Sequence, residues 1–346
     1  MSGGRDQFGT GPFDPVSGQL IKPVFQRIFE TNPQSALKEI WIGERHFWDH
    51  GFYQLSSDNG KSWGEVRQLK YEPGPDFDPS DWGKREYLVS NEMYIGNAIV
   101  LKNGSVAICS NSQVPYNDME DEKYPVVFPN NKRAGYVTGA ICFIGTWNRQ
   151  RSDYDWVKSN QVFVPRRVSS RGLMEIDISE LKNGNLLLIM RGSNAKLDAE
   201  KSPGRKWYSV SSDGGHTWSQ IQDMKYDTGE SFFSPSSYHK TIRSSRTGKL
   251  YWIGNITEVP PMANSPRYPL QIVEVDEETP SFKKNTLTVI DDRNPEKDSE
   301  HLQLSNFSIL ENRETGNLEL YLTRLGENGG KENLFTANSY KYTLLL

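Results

Sequence analysis

The sequence predicts an all-β protein built from repeated antiparallel units, and three observations carry that prediction. Aromatic residues make up 12% of the 346-residue chain, with 9 Trp, 16 Tyr and 15 Phe, a composition that suits half-buried strands. Helical periodicity is nearly absent; the best candidate is the short Pro33–Lys38 stretch. One hairpin form recurs along the chain: an apolar strand, a tight turn containing Gly, and a second apolar strand.

The hairpins cover 97–111, 177–191, 240–256 and 307–324. Their turns contain Asn103-Gly104, Asn183-Gly184, Thr247-Gly248 and Thr315-Gly316, residues that accept the positive φ of a tight turn. A recurrence of about 65–80 residues fits the blades of a propeller. Five units are countable, at roughly 27–70, 92–164, 173–224, 235–291 and 303–346. Residues 1–26 read as an N-terminal extension and 27–346 as one propeller domain. The polar, Pro-bearing stretches 71–81 and 117–133 read either as bland connectors or as lids beside a site.

A second repeat is sharper. Ser56-x-Asp58-x-Gly60-x-x-Trp63 and Ser211-x-Asp213-x-Gly215-x-x-Trp218 share one pattern, each between two alternating strands. The Asp carboxylate accepts turn amides, the Gly takes positive φ and the Trp packs back on the sheet. Asp58 and Asp213 are therefore given a structural role.

Charge and composition exclude several classes. With 40 Lys+Arg against 44 Asp+Glu the formal net charge is -4, which argues against an electrostatic nucleic-acid binder. No apolar run approaches the roughly 18 residues of a membrane span. Cys109 and Cys142 read as buried thiols rather than a disulfide framework, and no His/Cys/Asp spacing predicts a metal site, so no cofactor is expected. The N-terminal segment lacks the apolar stretch of a signal peptide. The compartment is left open: secreted or periplasmic if a leader has been removed, otherwise cytoplasmic. Oligomeric state is not legible.

The two S-x-D-x-G-x-x-W turns, with the residues around them, resemble the sialidase (neuraminidase) superfamily of Asp-box, or BNR-repeat, β-propellers. The likeness runs through most of the chain. Arg27-Ile28-Phe29 stands where that family has Arg-Ile-Pro. Glu44-Arg45 and then Asp49 precede the first box, as the family's Glu-Arg pair and acid/base Asp do. Glu175, a hairpin and Arg191 precede the second box, and Arg267 follows the strand 250–255. The resemblance implies six blades, although only five are countable. It also implies substrate-binding roles for Arg27, Arg45, Arg191 and Arg267, and catalytic roles for Asp49 and Glu175.

The chemistry of these residue types fits together. A guanidinium grips a carboxylate through two parallel charge-assisted hydrogen bonds, and a carboxyl beside a glycosidic oxygen can supply its proton. The sequence departs from the family at Phe307, where a nucleophilic Tyr is expected; a phenyl ring has no attacking oxygen. Tyr268 and His239 are the replacement candidates, with Tyr238 beside the latter. Water activated by Glu175 or Asp177 is the other route. Trp41, Trp48 and Trp82 are candidates for stacking on a sugar face. The functional expectation is an exo-acting glycoside hydrolase with a carbohydrate substrate, an anionic sugar such as a sialoside. The alternatives are a hydrolase or polysaccharide lyase for another acidic or rare sugar, and a non-catalytic glycan-binding propeller.

Overall fold

The computed structural model describes residues 11–29, 47–81, 83–116, 136–329 and 337–346. Strands β1 (Phe13–Asp14), β2 (Gln19–Phe29), β3 (Phe47–Ser56) and β4 (Arg67–Gln68) form a first antiparallel sheet. Strands β5 (Ile95–Val100), β6 (Val106–Pro115), β7 (Tyr136–Asn148) and β8 (Asp153–Lys158) form the second. The third holds β9 (Met174–Glu180), β10 (Leu186–Arg191), β11 (Lys206–Ser211) and β12 (Gln222–Asp223). The fourth holds β13 (Lys240–Arg243), β14 (Leu250–Asn255), β15 (Leu270–Asp276) and β16 (Ser281–Phe282), with β17 (Thr288–Asp291) also paired to β15. The fifth holds β18 (Ser308–Glu311), β19 (Leu318–Thr323) and β20 (Ser339–Leu344).

The protein is a five-bladed β-propeller. Strand β2 packs on β5, β5 on β9, β9 on β13 and β13 on β18, so these five strands line the axis. The six blades implied by resemblance are corrected to five among the described residues, one for each countable unit. Strand β2 also starts at Gln19, inside the stretch read as an extension. Its inward residues Ile21, Pro23 and Phe25 alternate as a strand should, but Pro23 masks the pattern. The expected helix at 33–38 lies outside the described residues; a short helix, α1 (Arg85–Val89), was not foreseen.

Apolar clusters between neighbouring blades hold the ring. Strand β10 shows why: Leu186, Leu188 and Met190 face the second blade, while Leu187 and Ile189 face the fourth. A strand covered on both faces is apolar at every position, and Leu-Leu-Leu-Ile-Met is such a run. Ile21, Tyr53 and Leu55 likewise meet Val106, Ile108 and Phe143 between blades one and two.

Both S-x-D-x-G-x-x-W turns are closed by hydrogen bonds to their Asp carboxylates. Asp58 accepts from the Ser62 amide at 2.9 Å and the Ser62 hydroxyl at 2.6 Å, and Asp213 accepts from the Thr217 amide and hydroxyl at the same two distances. The Ser62 bonds hold the Asp58 carboxyl down to about 2.

Candidate functional site

Two ion pairs face the axis. The first joins β2 to β3, where Arg27 and Asp49 are cross-strand neighbours. Arg27 Nε donates to Asp49 Oδ1 at 2.7 Å and its terminal nitrogen to Oδ2 at 2.8 Å. Burial works against the Arg27 charge, but Asp49 outweighs it and the guanidinium pKa rises. The Phe47 ring lies 4.1 Å from the guanidinium carbon.

The second pair is built differently. The register of β9 on β10 breaks between Ile189 and Arg191, where Met174 pairs with Arg191 and Glu175 is left out. Glu175 takes φ of 46°, a left-handed conformation that a non-glycine residue holds only where its surroundings impose it. The bulge aims its carboxylate at Arg191, which donates to Oε1 at 2.5 Å. The other oxygen, Oε2, is buried with no hydrogen-bond partner.

Further cations gather around Glu175. Arg267 donates to Gln303 Oε1 at 2.9 Å and to the Asn264 carbonyl at 3.2 Å. Burial lowers its pKa, Arg191 adds to the effect and Glu175 opposes it. The Asn255 amide fixes this loop by donating to the carbonyls of Arg267, Pro269 and Leu304. Lys206, fully buried on β11, donates to the carbonyls of Ser237 at 2.8 Å and Pro235 at 3.2 Å. Burial, with help from Arg191 and Arg267, pushes its ammonium down to about 7. Arg171 also lies in the field of Arg191, Glu175 and Arg267.

Tyr94 lies in the electrostatic field of both pairs. It precedes β5, its ring lies 4.8 Å from Phe25, and its phenol pKa is raised by burial and then by Glu175 and Asp49. Sequence reasoning missed Tyr94 and Arg171. Tyr94 sits in the apolar run Met93-Tyr94-Ile95, which reads as core, and Arg171 follows a Ser-Ser loop with no motif.

The other candidates lie elsewhere. His239 is 1% exposed, with Nε2 3.2 Å from the Ile189 carbonyl, and burial holds its pKa well below the ordinary value. Tyr268 packs on the apolar cluster between blades four and five, with the Arg293 guanidinium 5.8 Å from its ring. Asp177 is tied to the Lys240 ammonium at 2.5 Å and to the Thr241 amide at 2.6 Å, which joins blades three and four. Phe307 is buried edge-on to Tyr238 at 5.3 Å. Trp48 is buried. Glu44, Arg45, Trp41, Trp82 and the 117–133 stretch lie outside the described residues. Among the described residues no group of three or more His, Cys, Asp or Glu is placed to hold a metal ion, and no helix is long and apolar enough to cross a membrane.

No family model matches the chain, and no curated protein matches it by sequence. Solved structures do match. An inulosucrase from Halalkalicoccus jeotgali, bound to kestose, superposes with a TM-score of 0.54 at 11% identity, over 99% of this chain and 85% of that one. A protein of unknown function from Dyadobacter fermentans superposes with a TM-score of 0.50 at 12% identity, over 99% and 84%. An intramolecular trans-sialidase from Ruminococcus gnavus, in complex with oseltamivir carboxylate, gives 0.47 at 13% identity over 86% of this chain; the match spans 52% of that protein. At these identities the likeness is one of fold.

Proposed function

We propose that the protein is an exo-acting glycoside hydrolase for an anionic sugar, with Glu175 as the carboxylate that works at the reacting bond. One observation carries this reading: Glu175 is held at positive φ on a bulge, gives one oxygen to Arg191 and keeps the other buried and unpartnered. Asp49, by contrast, has both oxygens engaged by Arg27. A free, desolvated carboxylate oxygen is suited to take a proton from water or from a sugar hydroxyl. Arg191 and Arg267 supply the positive field that an acidic sugar requires. The Asp-box-like turns support the reading at the level of sequence, and the kestose-bound neighbour shows this fold in company with a sugar.

With Phe307 in place of a phenol, water activated by Glu175 is the attacking group, and the anomeric configuration inverts. Asp49 is the proton donor in this scheme. Both its oxygens lie on Arg27, so donation requires a substrate carboxylate to draw Arg27 away and the freed Asp49 to take up a proton from solvent before passing it to the leaving oxygen. Tyr94, in the field of both pairs, orients the substrate by hydrogen bonding. Phe307 and the closed Arg27–Asp49 pair also favour a second reading, glycan binding without turnover.

The test is a panel of fluorogenic sialosides and uronides with the wild-type chain and Glu175→Gln. Turnover of an acidic glycoside, reduced about 10²–10⁴-fold in the variant with binding retained, is the expected result. Binding without turnover across the panel assigns the second reading. An unsaturated product, seen by its ultraviolet absorbance, assigns a lyase.

A further inference from the structure

Cys109 and Cys142 are the only cysteines of the chain, and both are free and wholly buried. They are direct cross-strand neighbours, Cys109 on β6 opposite Cys142 on β7. Both side chains enter the apolar cluster between blades two and three, so they share one face of the sheet.

The hydrogen bonds around the pair define its geometry. Opposed residues of antiparallel strands either exchange ladder hydrogen bonds or turn their polar groups away from each other, and the second kind brings the side chains closer. The Cys142 amide donates to the Ser159 hydroxyl at 3.0 Å, and the Ser159 amide donates to the Cys142 carbonyl at 2.8 Å. Ser159 follows directly on β8, so both polar groups of Cys142 point away from β6. Cys109 likewise turns from β7, since a Cβ built on Gly96 of β5 would meet its carbonyl oxygen at 3.1 Å. Pairs of this kind have Cα atoms about 4.5 Å apart, within the roughly 4.4–6.8 Å that a disulfide spans. The Cys109 Sγ lies 3.0 Å from Asn97 Oδ1 and 3.2 Å from the Ile176 carbonyl oxygen, and a change of χ1 exchanges these contacts for the Cys142 sulfur.

We propose that Cys109 and Cys142 are a disulfide site, a cross-strand bridge that closes while the second blade folds in the presence of a small-molecule disulfide and that the packed molecule then shields from exchange. A cysteine thiolate attacks the small disulfide, giving a mixed disulfide and one released thiol, and the second cysteine displaces the other half. In sum one S–S bond breaks and one forms; the two cysteines lose two electrons and two protons, and the small disulfide is reduced to two thiols. Exchange belongs to the open chain, because burial removes access and pushes the Cys109 thiol up to about 12 and the Cys142 thiol well above its ordinary value. The redox state is thus set during folding and kept. A bridge formed then leaves the Ile176 carbonyl without its Cys109 donor, one residue from the bulge that bears Glu175, and the site exists whatever Glu175 does.

The experiment unfolds the full chain in urea, holds it with either a dithiol reductant or a mixture of oxidised and reduced glutathione, and refolds it by dilution. Intact mass, circular dichroism and the thermal midpoint are then read. The expected result is a glutathione sample lighter by two hydrogens that regains the strand signal of the reduced sample and melts no lower. The folded reduced protein, placed in the same glutathione mixture, is oxidised at least about a hundredfold more slowly than in urea. Where dilution gives no folded protein in either arm, the chain exported to an oxidising periplasm is compared with the same chain from a reducing cytoplasm by the same three readings. Free thiols or glutathione adducts in the folded oxidised sample overturn the bridge. So does a bridged chain that melts lower than the reduced one or fails to fold where the reduced one folds. Rapid oxidation of the folded reduced protein overturns the shielding.

Discussion

Arg27–Asp49 and Arg191–Glu175 are made of the same two residue types, face the same axis, and differ in one respect. In the first, a regular register sets both carboxylate oxygens on the guanidinium fork. In the second, a bulge turns the Glu so that only one oxygen is used. The first pair closes on itself and the second stays open. An ion pair thus reveals its purpose less by its distance than by the lone pairs it leaves unused. Backbone strain at Glu175 marks the open pair, and unstrained cross-strand pairing marks the closed one.

The widest separation between the pairs is expected in activity. Glu175→Gln lowers kcat by about 10²–10⁴-fold on the best acidic glycoside while its thermal midpoint stays near wild type, checked by steady-state kinetics and calorimetry. A variant that keeps its rate erases the contrast. The next effect tests the electrostatics of the open side. Lys206 has a folded pKa of about 7, below the roughly 10.4 of an unfolded lysine, so between pH 7 and 10 the unfolded chain holds a proton that the fold does not. Its contribution to stability rises with pH across that window, by up to about 1.4 kcal/mol per unit, and levels off below it. Urea midpoints measured at pH 7 to 10 should show that slope in wild type and a flatter one in Lys206→Met.

The closed pair is expected to respond in stability. Asp49→Asn leaves Arg27 facing a neutral amide. Because the Arg27 side chain keeps 24% of its exposure, the loss is about 2 kcal/mol, below the roughly 3–5 kcal/mol of a fully buried pair. Chemical denaturation reads it directly. The same variant tests the proton-donor role: turnover should fall on glycosides with poor leaving groups and be spared on those with acidic ones, and turnover unchanged on both removes Asp49 from that role. The smallest effect belongs to Phe307→Tyr. A phenol there adds a hydroxyl at a 5%-exposed position against Tyr238. The expected outcome is a loss of about 1 kcal/mol in stability and no gain in rate, since Glu175 and water already account for attack. A large gain in kcat would overturn the water-based scheme.

The fold was legible because its signals are local. Asn103-Gly104 and Asn183-Gly184 name their own turns, and the Asp58 and Asp213 turns need only residues within one loop. The five countable units gave the blade number directly, and only the appeal to resemblance added a sixth. The site was less legible because its decisive features are relations between distant segments. Nothing in Met-Glu-Ile announces that Glu175 sits on a bulge, since the bulge arises from pairing with β10. Arg171 in Ser-Ser-Arg-Gly looks like any loop arginine until its buried, unbonded Nε is known. His239 and Tyr268 were chosen for their neighbours in sequence. Both lie outside the regular strands and both rings pack on neighbours, His239 on Trp252 and Tyr268 on the cluster between blades four and five.

Asn255 carries a consequence for the order in which this molecule assembles. Its single amide holds the carbonyls of Arg267, Pro269 and Leu304, so the loop bearing Arg267 takes its place only once blades four and five have met. The other axial groups come from blades one, two and three. No stretch of nascent chain short of nearly the whole ring can carry a working centre, however well its hairpins have formed. During refolding from denaturant, strand content returns through local turns and early interblade clusters, while the axial constellation waits for contacts spread across almost the full length of the polypeptide. Function in this architecture is a late event.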